Sequence, residues 1–308
     1  MLKVTLLAGG VGGAKMAEGF DGVEGVELSV IGNVADDAEF HGLWVSPDID
    51  TLTYSLANRI DRAQGWGVAD ESHRALDVLN ELGEDTWMTL GDRDFGLHIY
   101  RSHALARGQS RSDIAAHVAR VFGVTSQIIL PTDDVVQTRV RVASGWLTFQ
   151  EYFVRERCRP EVLELEFEGI DAARPTPAAL EAISTADLIV LAPSNPLVSI
   201  DPILNIPGIR AAISAAKAPK IAVSPLIEGK TIKGPAARMM TALGLRADAL
   251  GVAQHYQGLI TTLVIDHADS GLSEQISALD MAATCEQTLM QTRADKIALA
   301  RAIIGGLS

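Results

Sequence analysis

The chain has 308 residues, of which 47% are hydrophobic and 21% charged, and its formal net charge is -13. These proportions exclude a disordered or fibrous protein, because such chains lack the recurring apolar runs that bury a core. The acidic balance argues against a broad nucleic-acid or anionic-membrane surface, since both need concentrated Lys and Arg. We therefore expect one globular domain over residues 1–308, with no nucleic-acid partner and no membrane partner.

The small number of cysteines and the short apolar stretches predict the cellular compartment of the protein. Its two cysteines, Cys158 and Cys285, are too few and too far apart for a disulfide framework, which is typical of a reducing compartment. The apolar start gives way to glycines too early for a signal peptide, and no stretch approaches the roughly 18–20 apolar residues that span a bilayer. We expect a cytoplasmic protein.

The chain opens with a pattern typical of an α/β protein. Residues 4–8 form a short buried run of strand type, glycines follow, and residues 14–20 have helical character. Residues 26–31 are a second β-branched run. This order predicts a β-α-β unit whose strands pair in parallel through a right-handed crossover.

The middle of the chain alternates further buried runs with helical patterns. Strands are predicted at residues 127–130, 188–192 and 220–223. Apolar spacings of three and four predict helices at residues 71–82, 95–107 and 111–122. We interpret these helices as an insertion over about residues 52–124 that covers one edge of the sheet.

A second pattern follows the helical insertion. Alternating, turn-linked runs at residues 136–142, 146–153 and 162–167 predict a small antiparallel extension over about residues 135–168. Residues 294–304 predict a closing helix. The predicted fold class is α/β, with a doubly wound, mostly parallel, Rossmann-like sheet that carries the helical insertion and the antiparallel extension.

A glycine-rich turn, GGVGGAK, separates the first predicted strand from the first predicted helix. Such a turn lets the backbone approach a diphosphate, which then sits on helical N–H groups. The turn departs from the dinucleotide fingerprint, because Lys15 stands three residues after Gly12 where Gly or Ala is required. It also departs from the P-loop, since Ala14 precedes Lys15. A tight turn without a ligand is the alternative.

Four aspartates, Asp36, Asp37, Asp48 and Asp50, follow the second predicted strand and enter the next helix. Ligands bind at strand carboxyl ends in open α/β sheets. Carboxylates there can hold a hard cation that bridges phosphate oxygens, or accept a proton from an attacking hydroxyl. For single members, a helix N-cap at Asp50 or a turn at Asp48 is the alternative.

Further polar segments carry possible ligand contacts. In LGDRDFGLHIYRSH, spacings of three and four align His98, Arg101 and Asp94 on one helix face, although an ion-pair network would also explain the segment. The strand ends LPTDD and LAPSNPLVSI open on the same sheet edge, yet their polar residues are also common in turns. Lys230 and Lys233 lie in a glycine-bounded loop that suits either a phosphate clamp or a solvated hairpin. Trp66 is predicted to pack, with stacking on a ring as the alternative.

Taken together and in order, these segments resemble a known family. The series runs LAGGVGGAK, NVADD, SPDIDTLTY, an Asp-Arg dipeptide with Gly-Trp-Gly, LGDRD, LPTDD, the Phe-Gln of LTFQEYF, APSNPLVSI and VSPLIEGKTIKGPA, over about residues 3–260. It is similar to the 2-phospho-L-lactate transferase family (CofD/FbiA) of coenzyme F-420 biosynthesis. The ordered series is much more specific than any one of its parts.

The resemblance implies an Mg2+-dependent reaction between two partners, a deazaflavin alcohol and a GDP-linked phospho-acid. The ribityl hydroxyl of 7,8-didemethyl-8-hydroxy-5-deazariboflavin would attack the acid-bearing phosphorus, release GMP and form a phosphodiester. The transferred unit would be 2-phospholactyl, or its phosphoenolpyruvyl or 3-phosphoglyceryl equivalent, and the residues do not discriminate among them. The family also makes a homodimer the expected assembly.

The resemblance further implies a role for each candidate residue. The catalytic residues would be Asp50 and Asp37, and the Mg2+ ligands would be Asp50, Asp37 and Asp36. The nucleotide would meet Gly10, Gly12, Gly13, Lys15, Ser194 and Asn195. The deazaflavin and the phospho-acid would meet Asp48, Asp92, Arg93, Asp94, His98, Arg101, Thr132 and Asp133.

Two other classes of protein fit this pattern less well. A non-enzymatic, nucleotide-sugar-binding regulator of the YvcK-like family shares the glycine turn and the acidic strand end. It would carry a Gly- and Ser-rich stretch after the first Asp-Asp and an Asp-Leu-Arg motif where this chain has SPDIDT, and neither is present. The broken glycine fingerprint argues against an NAD-dependent dehydrogenase.

Overall fold

The computed structural model describes residues 1–306. The strands in this range are β1 (Leu2–Ala8), β2 (Val26–Gly32), β3 (Ala38–Phe40), β4 (Leu43–Val45), β5 (Gln127–Ile129), β6 (Gln137–Val142), β7 (Gly145–Thr148), β8 (Glu164–Glu168), β9 (Leu188–Leu191), β10 (Lys220–Val223), β11 (Leu226–Ile227), β12 (Lys230–Thr231), β13 (Thr262–Asp266) and β14 (Ala282–Glu286). The α-helices are α1 (Gly10–Asp21), α2 (Pro47–Leu56), α3 (Arg74–Glu81), α4 (Asp92–Ala106), α5 (Arg111–Val121), α6 (Pro177–Ser184), α7 (Asp201–Leu204), α8 (Ile209–Ala215), α9 (Ala236–Ala242), α10 (Ala249–His255), α11 (Ser273–Ser277) and α12 (Arg293–Gly305). Short π-helical turns lie at Glu151–Arg155 and Pro196–Ile200, and 3-10 turns at Ile170–Ala172 and His267–Leu272.

A parallel sheet forms the centre of the described chain, with strand order β14-β13-β10-β9-β1-β2-β5. In β1, Val4 pairs with Leu28 on one side and with Leu188 on the other. The strand order therefore reverses at β1, between β2 and β9. In doubly wound sheets, such a reversal opens a crevice at the carboxyl ends of the strands, where ligands bind. The predicted α/β class with a mostly parallel sheet is confirmed.

Two cores cover the two faces of this sheet, because successive side chains of a strand point to opposite sides. Leu6 packs with Phe20 of α1 and Leu299 of α12 on one face, whereas Leu7 packs with Ile183 of α6 and residues of α8–α10 on the other. Each fully buried Leu or Phe side chain contributes about 1.5–3 kcal/mol. Burial on both faces explains why β1 and β9 have nearly unbroken apolar sequences.

Helices and small sheets surround the crevice. Helices α3, α4 and α5 follow the predicted insertion closely, since their apolar spacing is a local signal. The predicted antiparallel extension is present as the sheet β7-β6-β8. A β3–β4 hairpin was not predicted. Within residues 1–306, none of the helices has both the length and the apolar character that a membrane crossing requires.

Several boundaries differ from prediction, each for a local reason. Helix α1 already begins at Gly10, so the glycines belong to its first turn. The strand predicted at residues 146–153 ends at Thr148, where the Glu151 carboxylate accepts bonds from the Thr148 backbone N–H and hydroxyl and a π-helical turn follows. Strand β13 was missed although TLVID is a buried run, and β14 has a mixed sequence, AATCE, that carries no clear strand signal.

Candidate functional site

The crevice at the reversal of strand order collects the ends of three strands. β1 leads into Gly9 and α1, β2 leads into Asn33 and the first two aspartates, and β9 leads into Ser194. The Ser194 hydroxyl donates to the Gly9 carbonyl at 2.7 Å and accepts from the Gly9 N–H at 3.3 Å. These reciprocal bonds fix the end of β9 against the start of α1.

The glycines of α1 allow this close approach. A Cβ on Gly12 would lie 2.1 Å from the Pro193 carbonyl oxygen, and one on Gly13 would lie 2.8 Å from the Ala8 Cβ. Gly10 has φ +60, a conformation that glycine adopts without strain. The N-cap residue, Gly9, has no side chain to cap α1, so the N–H groups of the first turn are available to acceptors from elsewhere, including an anion. The predicted nucleotide-binding residues Gly10, Gly12, Gly13 and Ser194 are thus brought together.

Asp36 and Asp48 form the part of the aspartate cluster nearest to this turn. Asp48 Oδ2 accepts from Asn33 Nδ2 at 3.0 Å, and Asp48 also accepts from the backbone N–H of Gly10. Burial raises the pKa of Asp48 to about 6 despite these bonds. Burial, and then the charge of Asp48, raise the pKa of Asp36 well above its usual range, and Asp36 Oδ1 is buried without a partner. No cation in residues 1–306 forms an ion pair with either carboxylate.

Asp37 lies beside a buried arginine. Its Oδ2 accepts from the Ser46 hydroxyl at 2.8 Å, from Trp44 Nε1 at 3.1 Å and from Arg111 Nη1 at 3.4 Å. Its Oδ1 is buried without a partner. Burial raises the pKa of Asp37 to about 7, although Arg111 and the hydrogen bonds oppose this. Asp37 therefore takes up or releases a proton near neutral pH.

Asp50 is held differently, in a two-point ion pair with Arg101. One guanidinium N–H group donates to Asp50 Oδ2 at 3.1 Å and another donates to Asp50 Oδ1, and both side chains are buried. Arg101 Nη1 also lies 3.1 Å from His98 Nδ1, which must accept because a guanidinium only donates. Burial lowers the pKa of His98 to about 4, so the imidazole is neutral at pH 7. The predicted alignment of His98 and Arg101 on one face is present.

The other residues of the α4 segment divide into two groups. Asp94 accepts from the Tyr54 hydroxyl at 2.7 Å, and burial raises the pKa of Asp94 to about 6, so this side chain extends the buried cluster. Asp92 instead accepts from the Ala75 backbone N–H at 2.9 Å and so caps α3. Arg93 is exposed and donates to the Ala69 carbonyl at 2.7 Å. Asp92 and Arg93 hold the α3–α4 connection and do not enter the cluster.

The remaining predicted ligand residues also have structural partners. Asp133 is exposed and accepts from the Ser112 backbone N–H at 2.8 Å, and the Thr132 hydroxyl accepts from the Asp134 N–H at 3.0 Å. The Asn195 side chain accepts from the Leu197 N–H at 3.0 Å and caps a π-helical turn. Lys15 donates to the Met290 carbonyl at 2.8 Å. The roles of these residues toward a ligand stay predictions.

Two residues of the site were missed from the sequence. Asn33 is fully buried and joins Asp48 to the Val198 carbonyl, at 3.3 Å, across the crevice. Arg111 donates through Nε to the Asp133 carbonyl at 3.1 Å and also to the Asp134 carbonyl, while reaching Asp37. Asn33 stands directly after a buried strand, which is a usable signal. No such signal marks Arg111, because its position directly after the N-cap residue Ser110 identifies it only as a residue of the first turn of α5.

The described residues contain no group of three or more His, Cys, Asp or Glu side chains arranged to hold a metal ion. Mg2+, however, is commonly held by one or two carboxylates together with substrate phosphates and water. The unpartnered Oδ1 atoms of Asp36 and Asp37 fit that requirement. Asp50 fits it less well than predicted, because Arg101 already occupies both of its oxygens.

The sheet is doubly wound with a crevice at its reversal point, and the comparison with known proteins supports a transferase. The chain belongs to the family described as 2-phospho-L-lactate transferase CofD, whose family model matches residues 4–302. A phosphoenolpyruvate transferase of Kitasatospora aureofaciens is 38% identical over 297 residues, covering 94% of this chain and 92% of the relative. A 2-phospho-L-lactate transferase of Methanosarcina acetivorans is 34% identical over 303 residues, covering 98% of each chain.

Solved structures agree on the fold. The crystal structure of protein BH3568 from Bacillus halodurans has a TM-score of 0.65 to this chain at 16% identity, and the match covers 98% of this chain and 99% of the other. A second structure of the same protein, described as a member of the UPF0052 family, gives the same TM-score at 17% identity. At this level of identity the likeness establishes the shared α/β architecture alone.

Proposed function

We propose that this protein transfers a phospho-acyl unit from a GDP-linked donor to the ribityl hydroxyl of 7,8-didemethyl-8-hydroxy-5-deazariboflavin, with release of GMP. The family and the curated relatives support a transferase connected with coenzyme F-420 biosynthesis. The transferred unit is 2-phospholactyl or its phosphoenolpyruvyl or 3-phosphoglyceryl equivalent. The names of the two relatives do not separate these donors, since their identities to this chain are 38% and 34%.

One observation carries the proposal: the backbone N–H of Gly10, in the first turn of α1, donates to the buried carboxylate of Asp48. A turn suited to phosphate therefore adjoins carboxylates that have no cation partner. Anionic phosphate and carboxylate repel one another in one crevice unless the carboxylates are protonated or a cation lies between them. This supports Mg2+ as the cofactor, held by Asp36 and Asp37 together with substrate phosphate. When bound, Mg2+ would neutralise charge on the phosphate oxygens.

The protein's own residues supply positioning and proton transfer. The ribityl oxygen attacks the phosphorus that bears the acid, its O–P bond forms, the bond from that phosphorus to the GMP oxygen breaks, and the hydroxyl proton moves to Asp37. Asp37 suits this role because it is buried in the crevice and its Oδ1 has no other hydrogen-bond partner. Asp50 acts through Arg101, whose guanidinium it fixes at the edge of the crevice.

Substrate binding follows from the same geometry. Gly10, Gly12, Gly13 and Ser194 form the proposed diphosphate contact at the start of α1. Arg101, His98 and Asp94 line the proposed acceptor and phospho-acid side, where one fixed cation faces buried acids. The homodimer and the cytoplasmic setting stay predictions.

The test is a reaction with defined partners. Purified protein is incubated with the deazaflavin, Mg2+ and, separately, each GDP-linked acid, and products are identified by mass spectrometry. We expect one donor to give equal amounts of phosphodiester and GMP. If no donor gives either product while nucleotide still binds, the transferase proposal is wrong and a binding role takes its place.

A further inference from the structure

The antiparallel extension, here residues 137–168, lies against the aspartate cluster, although none of its residues takes part in the proposed reaction. Two contacts come from the start of β6. Thr138 donates its backbone N–H to the Ala35 carbonyl at 2.7 Å, and Gln137 Nε2 donates to the Asp37 carbonyl at 3.0 Å. The backbone is thus held on both sides of Asp36.

Gln150 adds a third contact of the same kind. It is the Gln of the Phe-Gln pair in LTFQEYF, lies in the connection between β7 and β8, and is buried. Its Nε2 donates to the Asp36 carbonyl at 3.3 Å, although the two residues lie 114 apart in the sequence. The carbonyls of residues 35, 36 and 37 are therefore each bonded to the extension, so tertiary structure fixes the position of this backbone.

The Thr138 hydroxyl faces the Asp36 carboxylate but is not bonded to it. Thr138 is 1% exposed and Asp36 is 5% exposed, and within residues 1–306 neither Thr138 Oγ1 nor Asp36 Oδ1 has a hydrogen-bond partner. Burial raises the pKa of Asp36 most, and the nearby hydroxyl opposes that rise in part. Two buried polar atoms without partners lower stability, which is explained if a ligand at Asp36 satisfies both.

A divalent cation would satisfy them. A cation at Asp36 favours the ionised carboxylate, to which the Thr138 hydroxyl can then donate. Carboxylates that bind a metal are usually held by hydrogen bonds of their own, which fix the direction of the free lone pairs. Mg2+ also demands nearly ideal octahedral geometry, so the placement of two consecutive carboxylates matters for its binding.

We infer that the antiparallel extension positions the two proposed Mg2+ ligands, Asp36 and Asp37. Gln137 and Gln150 fix the backbone of this pair, and Thr138 orients the first of the two carboxylates. The inference rests on the proposed function and adds to it three positioning residues that act through the aspartates. Removal of the Thr138 hydroxyl should therefore weaken metal binding without weakening the fold.

The test measures metal binding to variants of the full chain. Mn2+, which takes the same oxygen ligands as Mg2+, is titrated with and without GDP, and free Mn2+ is followed by electron paramagnetic resonance. We expect Thr138→Val to bind Mn2+ about tenfold more weakly, and Gln150→Met to show a similar loss. Thr138→Ser keeps the hydroxyl and should recover most of the affinity.

Thr5→Val is the matched control for Thr138→Val. Thr5 is also a buried threonine of a strand, and its hydroxyl donates to the Ala182 carbonyl of α6 at 2.7 Å. Thr5→Val loses this bond, so it should lower the free energy of unfolding and leave Mn2+ affinity unchanged. Thr138→Val should do the reverse, because it removes a hydroxyl that has no partner.

Turnover provides a second measurement. Thr138→Val should raise the Mg2+ concentration for half-maximal rate about tenfold and keep kcat at saturating Mg2+ near that of the wild type. The inference is overturned if Thr138→Val and Gln150→Met bind Mn2+ like the wild type, if Thr5→Val or Thr138→Ser weakens binding as much as Thr138→Val, or if the wild type binds Mn2+ under neither condition. If the Mn2+ results hold but no donor gives a phosphodiester, the proposed function fails and the positioning of the metal ligands stands.

Discussion

The aspartate cluster has two sides that differ in their partners. On the helical side, Asp37 and Asp50 face the buried guanidinium groups of Arg111 and Arg101. On the side of the glycine turn, Asp36 and Asp48 face uncharged partners, namely the amide of Asn33, the hydroxyl of Thr138 and the backbone N–H of Gly10, and no cation. Four residues of one type, close together in the sequence, thus have different environments.

The difference shows that a carboxylate's role depends on what neutralises it. Asp50 is compensated by a two-point ion pair and is suited to hold Arg101 in place. Asp36 and Asp48 are both buried without a cationic partner, so each is stabilised by protonation or by a bound cation. Asp37 is intermediate, because Arg111 reaches one of its oxygens and the other is unpaired.

The largest effect expected from this comparison is on catalysis. Asp37→Asn should lower kcat about a hundredfold to ten-thousandfold, because it removes the proposed proton acceptor while keeping the hydrogen-bonding shape. Steady-state kinetics with the productive donor measures this. Asp85→Asn, at an exposed ion pair with Arg155, is the control and should keep wild-type kcat. Full activity in Asp37→Asn would remove Asp37 from its role.

On the compensated side, removal of the arginine should strongly destabilise the protein, much more than removal of an arginine from an exposed ion pair. Arg101→Met leaves the buried Asp50 charge without a partner, and we expect it to lower the free energy of unfolding by about 3–5 kcal/mol. Arg141→Met, at an exposed pair with Glu164, should cost about 0–1 kcal/mol. Urea denaturation measures both. Equal effects would show that Arg101 and Asp50 are not the tightly coupled pair described above.

On the uncompensated side, the raised pKa of Asp48 should make the stability of the protein depend on pH. The folded pKa of Asp48 is raised to about 6, so its contribution to stability is present below its unfolded pKa and is lost as the pH rises toward about 6. Relative to the wild type, Asp48→Asn should therefore gain roughly 2–3 kcal/mol between about pH 4 and about pH 6. Denaturant titrations at several pH values measure this gain.

Asp266 should show the opposite pH dependence of stability in the same measurement. Burial tends to raise its pKa, but bonds from Ala268 and Thr288 outweigh this and the pKa is lowered. Asp266→Asn should therefore lose stability relative to the wild type as the pH rises. If both variants responded to pH in the same direction, the opposite pKa shifts assigned to Asp48 and Asp266 would be wrong.

The smallest effect concerns the glycine turn that adjoins Asp48. Gly12→Ala places a Cβ 2.1 Å from the Pro193 carbonyl oxygen and should cost about 1–3 kcal/mol by overpacking. Gly96→Ala, in α4, meets nothing within 4 Å and should stabilise the protein by about 0.5–1 kcal/mol. Thermal unfolding compares the two. A neutral Gly12→Ala would mean that β9 and α1 are less closely packed than described.

The sequence predicted what depends on local patterns. Apolar spacing gave α3, α4 and α5 to within a few residues, and buried runs gave β1, β2, β9 and β10. The rule that ligands bind at strand ends placed the four aspartates near the glycine turn. Strand β14 was missed because its residues are only partly buried and have no regular alternation.

Pairing partners could not be predicted, because they are set by tertiary structure. Arg101 lies 51 residues from Asp50, and Arg111 lies 74 residues from Asp37. Arg101 was predicted to meet substrate, and nothing local indicated that it would first engage Asp50. Asp92 and Asp94 stand two residues apart, yet one caps α3 and the other enters the cluster.

The central position of β1 has a consequence for how the chain folds during synthesis. Val4 pairs with Leu28, which is made early, and with Leu188, which is made much later. At about 5–20 residues per second, one edge of β1 waits on the order of ten seconds for its partner. During that interval a nascent β1-α1-β2 unit exposes an apolar strand edge on the ribosome, so chaperone binding to the first half of the chain is expected to matter for its yield.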